Sequence, residues 1–136
     1  MSKVFKQYLK DVNFEKRLEK LAKKLKNKRV IFYGAGLFFR IINENYDLGV
    51  LNIAGVSDRV FMQNPDSENI KNFMGYKIIP PQDISTADAD YIIICTFNFI
   101  STLAYLKNYI LGNSKIKILP IVPKSIVELI EEVWKN

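Results

Sequence analysis

A glycine turn directly after an apolar run is the segment of this sequence best suited to chemistry. Residues 30–37 read VIFYGAGL. A strand that runs into G-x-G and then into a helix aims backbone N–H groups and the helix N-terminus at one spot, which favours a phosphate. The full dinucleotide fingerprint is G-x-G-x-x-G/A, and Phe39 stands at its third small position, so we expect a helix that packs differently. The predicted phosphate contacts are Gly34, Ala35, Gly36 and Leu37.

An acidic residue follows the next predicted strand, where the ribose of a nucleotide would lie. Asp58 stands 24 residues after Gly34, and a carboxylate at this place can accept hydrogen bonds from ribose hydroxyls. Arg59 beside it can attract a 2′-phosphate, so NAD and NADP both stay open as the cofactor. Alternatively, Asp58 is only a turn residue at the end of a strand.

Two polar residues after a later predicted strand are further candidates for contact with the same ligand. Thr96 and Asn98 follow the apolar run at residues 91–95, close to the point where open α/β sheets bind ligands. Both side chains offer hydrogen bonds to a ligand. Either one can equally be the N-cap of the following helix.

Several kinds of catalytic site are excluded by residues that the sequence lacks. It contains no histidine, and Cys95 is its one cysteine, which we interpret as a small core residue. Without histidine the chain cannot use imidazole as an acid, base or ligand, and with a single cysteine we expect no metal site. No tyrosine is followed four residues later by lysine, the proton-transfer pair of short-chain dehydrogenases. The acid–base candidates that remain are Tyr33, Lys77 and Asp58, so the chain is not clearly catalytic alone.

The elements that must position these residues follow from the apolar pattern. Strands are predicted near residues 29–33, 51–56, 76–79, 91–95 and 116–121. Helices are predicted near 37–46, 100–111 and, after a capping box at Ser125, up to Trp134, while residues 60–74 form a loop with a turn cluster at 64–67. The fold class is therefore α/β, a three-layer Rossmann-like domain with about five mostly parallel strands, flanking helices and an extra N-terminal helix.

The basic charge of the chain is concentrated in its first residues. Residues 1–29 hold eleven of the twenty Lys and Arg and three acids, whereas the remainder has nine bases and eleven acids. We predict a basic amphipathic helix at 1–28, in one or two segments broken near Asn13, followed by a nucleotide-binding domain at 29–136. The lysines form a solvated face, or the helix contacts a second copy or a partner enzyme. Binding to nucleic acid or to a membrane surface is the least favoured interpretation, since apolar residues recur at helical spacing among the lysines.

The compartment follows from the absence of long apolar segments. No apolar run approaches the 18 residues of a membrane span, and the first stretch has no signal-peptide core. We therefore expect a cytoplasmic protein that does not span a membrane.

Four short motifs together resemble a Rossmann-like nucleotide-binding domain of bacterial surface-polysaccharide enzymes. They are VIFYGAG at 30–36, IAGVSD at 53–58, GYKIIP at 75–80 and DYIIIC at 90–95. Similar domains precede the catalytic part of UDP-sugar 4,6-dehydratases, open UDP-sugar acetyltransferases and accompany sugar transferases. The resemblance implies that the glycine turn contacts phosphates and that Asp58 contacts a ribose.

The function expected from this resemblance is a nucleotide-binding module for NAD(P) or a nucleotide-sugar in surface-polysaccharide biosynthesis. The alternatives are a small NAD(P)-dependent nucleotide-sugar oxidoreductase or epimerase-like enzyme, and an oligomerising partner subunit. The left-handed β-helix of the acetyltransferases and a second sugar-holding domain are both missing from the sequence.

Overall fold

A parallel sheet of four strands forms the centre of the protein. A computed structural model describes residues 2–62, 72–96 and 98–122. In chain order the strands are β1 (Arg29–Tyr33), β2 (Asn52–Ser57), β3 (Asn72–Phe73), β4 (Tyr76–Lys77), β5 (Tyr91–Ile94) and β6 (Lys117–Pro120). The sheet has the order β2-β1-β5-β6 with all pairs parallel, and β3 and β4 form a separate antiparallel pair.

The predicted α/β class is confirmed, but the third predicted strand is reduced to a single contact with the sheet. Ile78 makes one parallel bridge to Val56, and the N–H of Ile79 donates to the Val56 carbonyl at 2.9 Å. Pro80 and Pro81 follow at once and have no N–H to continue the ladder. Among the described residues the main sheet therefore has four strands, in a layout compatible with a Rossmann-like domain.

The helices lie before and between these strands. They are α1 (Ser2–Asp11), α2 (Phe14–Lys24), α3 (Leu37–Asn45) and α4 (Phe99–Tyr105), and α4 continues as a π-helical turn at Leu106–Leu111. Short 3₁₀ turns cover Leu48–Val50, Arg59–Met62 and Pro81–Thr86. The predicted final helix from Ser125 to Trp134 and the turn cluster at 64–67 lie outside the described residues. Among the helices in the described ranges, none is both long and apolar enough to cross a membrane.

The N-terminal segment forms two helices because the chain turns sharply at Asn13. This residue has a φ of 52°, and its side chain accepts a hydrogen bond from the Lys16 N–H at 3.4 Å, which caps α2. Asparagine tolerates this left-handed conformation better than most residues. The break near Asn13 is the one that the sequence predicts.

The two faces of β1 pack into two separate hydrophobic clusters. Val30 and Phe32 lie with the buried side chains of α1, α2 and α3, whereas Ile31 and Tyr33 pack against the 3₁₀ turn at 81–86 and the π-helical turn. The N-terminal helices contribute fully to the first cluster, for Leu9 and Phe14 are 0% exposed. The segment predicted at 1–28 therefore shares its core with the sheet.

The direction of chain winding reverses beside β1. From β1 the chain passes through α3 to β2 on one side, and it later returns to β5 on the other side. In open parallel sheets, the carboxyl ends of the two strands that flank such a reversal border the crevice where ligands bind. Here those ends are the residues after Tyr33 and after Ile94.

Candidate functional site

The turn between β1 and α3 is held in place by contacts that require glycine at position 34. Gly34 has a φ of +118°, and its N–H donates to the Ser57 carbonyl at 2.8 Å. A Cβ at this position would lie 2.8 Å from Thr96 Cγ2 and 2.9 Å from the Cys95 carbonyl oxygen. Gly34 thus lets the turn after β1 pack directly against the turn after β5.

Gly36 differs from Gly34 because it faces open space. It is exposed, its backbone is extended, and a Cβ added there would meet no atom of the described residues within 4 Å. It occupies the N-cap position of α3, where no side chain satisfies the first-turn N–H groups. Leu37, the first residue of α3, is 45% exposed. Within the described ranges, the approach to the N-terminus of α3 is therefore open at Gly36.

Asp58 binds the glycine turn from the neighbouring strand. One carboxylate oxygen accepts the Ala35 N–H at 2.7 Å, and the other accepts the Val60 N–H at 3.1 Å. The sequence predicts Asp58 as a ribose contact and Ala35 as a phosphate contact. The structure joins these two groups to each other, so the Ala35 N–H is not directed at an open phosphate position.

Arg59 lies on the side of the site formed by α4. Its guanidinium carbon stands 4.5 Å from the centre of the Tyr105 ring, a cation–π arrangement, and the Tyr105 hydroxyl lies 3.1 Å from the Met62 sulfur. Arg59 is exposed, so its charged group remains accessible while its position is set by Tyr105.

The two polar residues after β5 have different surroundings. The hydroxyl of Thr96 lies 2.9 Å from that of Thr102, and its methyl group faces Gly34. Asn98 takes the N-cap position of α4, where its carbonyl accepts the Thr102 N–H at 2.9 Å but its side chain makes no cap. Phe97, between them, lies outside the described residues. Thr96 therefore belongs to the same edge as the glycine turn, and the Asn98 side chain is exposed.

Phe39 explains how α3 packs without the third small residue. The ring is 0% exposed and lies 5.6 Å from Phe32 on β1, 5.8 Å from Tyr76 and 6.1 Å from Phe73, measured between ring centres. A large side chain fills the space where a fingerprint glycine would allow close contact between helix and strand. The inner side of α3 thus packs on β1 and on the β3–β4 pair through aromatic rings.

Sequence reasoning named Tyr33 as an acid–base candidate but missed Ser57, and the hydroxyls of both residues are buried beside the site. Tyr33 and Ser57 are paired across β1 and β2, and within the described residues neither hydroxyl has a hydrogen-bond partner. Burial raises the pKa of Tyr33 strongly, with Tyr105 and Asp58 adding to the effect and Arg59 opposing it. Tyr33 therefore stays protonated near neutral pH. The sequence signal for Ser57 was its place as a polar residue at the end of β2, directly before Asp58.

The acid–base candidates do not form a reactive group. Tyr33 is buried, and the carboxylate of Asp58 is engaged by two backbone N–H groups. Lys77 is exposed on β4, and its carbonyl lies next to Gly55 in the middle of β2 rather than at the carboxyl edge. Cys95 is buried as expected, and burial raises its thiol pKa. In the described ranges, no group of three His, Cys, Asp or Glu residues is placed to hold a metal ion.

The carboxyl edge of the sheet therefore brings three predicted segments together: the turn at 34–37, Asp58 with Arg59, and Thr96. The groups present there are a helix N-terminus, a carboxylate, a guanidinium and hydroxyl groups, which are chemically able to contact an anionic or hydroxyl-bearing ligand. No family model, curated protein or solved structure matches this chain.

Proposed function

We propose that this protein is a nucleotide-binding module whose ligand lies across the carboxyl edge of the sheet. One observation carries the proposal: the turn that opens α3 lies at the point of chain reversal, directly against the turn after β5. Parallel sheets bind nucleotides at this location because helix N-termini and strand ends converge there.

The phosphate position that we propose is the open side of Gly36 and Leu37. The Ala35 N–H is already bonded to Asp58, which moves the expected phosphate contact from the centre of the turn to the start of α3. At that start, the dipole of a nine-residue helix favours negative charge, and no side chain occupies the space beside Gly36.

Asp58 has a double role in this proposal. Each of its oxygens accepts one backbone N–H, and a carboxylate oxygen has two lone pairs, so a ribose hydroxyl can still donate to either of them. Arg59, held against Tyr105, adds a positive charge near the same strand end. NAD(P) and nucleotide-sugars both carry the required ribose and pyrophosphate. We propose that the module acts in surface-polysaccharide synthesis.

Thermal unfolding with a ligand panel tests the proposal. The panel contains NAD(H), NADP(H), coenzyme A, S-adenosylmethionine and UDP-, GDP- and CDP-sugars. A ligand present at 100 times its dissociation constant stabilises a protein by about 2.7 kcal/mol, which corresponds to a shift on the order of 10 °C in this size range. We expect such a shift with NAD(P) or a nucleotide-sugar.

Two variants at one position locate the ligand. Gly36→Ala adds a methyl group to open space and is expected to bind as the wild type does, whereas Gly36→Trp fills that space and is expected to abolish binding. Both variants are expected to fold, because the backbone of residue 36 is extended and suits any side chain. Undiminished binding by Gly36→Trp would place the ligand elsewhere and refute the proposed site.

A further inference from the structure

Six exposed lysines lie on the sides of α1 and α2 that face away from the core. The first helix buries Phe5, Tyr8 and Leu9, and the second buries Phe14, Leu18 and Leu21. The lysines fall at spacings of three and four between these positions, which places them on the opposite side of each helix. They are Lys3, Lys6 and Lys10 on α1 and Lys16, Lys20 and Lys23 on α2, and together they are called the basic face here.

The basic face spans two helices that pack into the same core. Their buried residues belong to the cluster that contains Val30 and Phe32, and the two helices contact each other. All six lysines of the basic face are exposed to solvent.

None of these lysines forms an ion pair within the described part of the chain, although Glu19 lies three residues after Lys16 and four before Lys23. The ion pair found there joins Arg29 to Asp88, outside the basic face. The acids of the two helices are Asp11, which accepts a hydrogen bond from Gln7 at 2.8 Å, and the exposed Glu15 and Glu19. Since residues 1–29 carry eleven bases and three acids, the local charge stays strongly positive.

We propose that the basic face binds the anionic surface of a lipid membrane. Lysine ammonium groups are attracted to such a surface as point charges, without a specific geometry at each contact. Among the large apolar side chains of the two helices Val4 is the exposed one and the others lie in the core, so binding is electrostatic, reversible and weakened by salt. The proposal does not depend on the nucleotide site, which lies at the carboxyl edge of the sheet.

The composition of the face favours a membrane over a nucleic acid. Arg17, the one arginine of α2, donates to the carbonyls of Pro120 and Ile121 at 3.1 and 3.4 Å, so its guanidinium is directed at β6. The aromatic rings of both helices are buried and unavailable to stack on bases. The exposed basic residues of the two helices are thus all lysines, whose point charges suit a layer of anionic headgroups.

Vesicle co-sedimentation tests the proposal with the full chain. The probes are vesicles of phosphatidylcholine alone and vesicles with 30% phosphatidylserine, at about 50 and 500 mM salt. We expect binding only to the anionic vesicles at low salt. Each lysine near an anionic surface raises the affinity for the membrane roughly fivefold. The double variant Lys16→Gln/Lys20→Gln is therefore expected to bind the vesicles about 30-fold more weakly.

A matched control separates the basic face from net charge. Lys77→Gln/Lys107→Gln removes the same two charges from exposed positions outside α1 and α2 and is expected to change binding less than threefold. The pair Lys3→Gln/Lys6→Gln on α1 is expected to reproduce the loss, which guards against a folding defect confined to α2. Equal losses in the face and control variants, no binding to anionic vesicles, or tighter binding to a 20-base-pair DNA duplex at equal salt would each overturn the proposal.

Discussion

The carboxylate of Asp58, directly after β2, accepts a 2.7 Å hydrogen bond from the backbone N–H of Ala35 in the turn after β1. The same carboxylate accepts the Val60 N–H at 3.1 Å and so also fixes the first residues of its own loop. A single side chain therefore holds two of the segments that border the proposed nucleotide site.

Replacing Asp58 is expected to loosen both loops. Asp58→Ala leaves the partly buried Ala35 N–H without its acceptor, and loss of such a charge-assisted bond costs about 1.5–3 kcal/mol. Urea unfolding measures this loss, with Glu44→Ala, an exposed residue of α3, as the control for removing one acid. An Asp58→Ala protein as stable as its Glu44→Ala counterpart would contradict the bracing role.

Adding a methyl group is expected to have opposite outcomes at the two glycines of the turn. Gly34→Ala introduces a Cβ 2.8 Å from Thr96 and 2.9 Å from a carbonyl oxygen, at a φ of +118°, so we expect a loss of more than about 2 kcal/mol. Gly36→Ala meets no neighbour and is expected to stay within about 0.5 kcal/mol of the wild type. Denaturant unfolding of the two variants decides this, and similar stabilities would refute it.

The N-terminal helices are expected to be required for folding rather than only for assembly. Phe14 is 0% exposed and its ring packs 4.8 Å from that of Tyr46, so Phe14→Ala is expected to cost about 3–5 kcal/mol. Val4, which is 40% exposed, is the control, and Val4→Ala is expected to cost less than about 1 kcal/mol. Thermal unfolding by circular dichroism measures both, and a chain lacking residues 1–27 that remained folded would overturn the prediction.

The buried tyrosines are expected to make the protein sensitive to alkali. Burial raises the pKa of Tyr8 to about 12 and that of Tyr33 still further, from an unfolded value near 10. Between these values the unfolded chain releases protons that the native state retains, so stability is full below about pH 10 and falls as the pH rises. Urea unfolding from pH 8 to 11 follows this decline.

Removing the Tyr33 hydroxyl is expected to reduce that alkaline loss. Because this hydroxyl is buried without a partner among the described residues, Tyr33→Phe is expected to be neutral or slightly stabilising at pH 7 and to flatten the fall above pH 10. Tyr109, which is 79% exposed, supplies the control Tyr109→Phe, whose pH profile should match the wild type. An unchanged alkaline slope in Tyr33→Phe would show that other groups cause the decline.

The sequence by itself determined the local elements of this fold. Apolar runs at 29–33 and 91–95 predicted the two central strands, and the strand-to-helix glycine turn and the break at Asn13 were equally readable. Each of these signals is local, because hydrophobic period, glycine and capping residues act within a few neighbours. Asp58 could be placed at the end of β2 for the same reason.

Contacts between distant segments were decided only by the tertiary structure. Asp58 could be read as a ribose contact or a turn residue, and only the pairing of β1 with β2 brings its carboxylate to Ala35, 23 positions earlier. Similarly, Arg17 belongs to the basic segment by sequence, but the packing of α2 directs it to the Pro120 and Ile121 carbonyls at the end of β6. The third predicted strand contains a suitable apolar run, yet it makes a single bridge to β2, between Ile78 and Val56. The two prolines that follow have no N–H with which to extend the pairing. Such outcomes depend on which surfaces meet when the core forms, and a pattern of neighbouring residues does not carry that information.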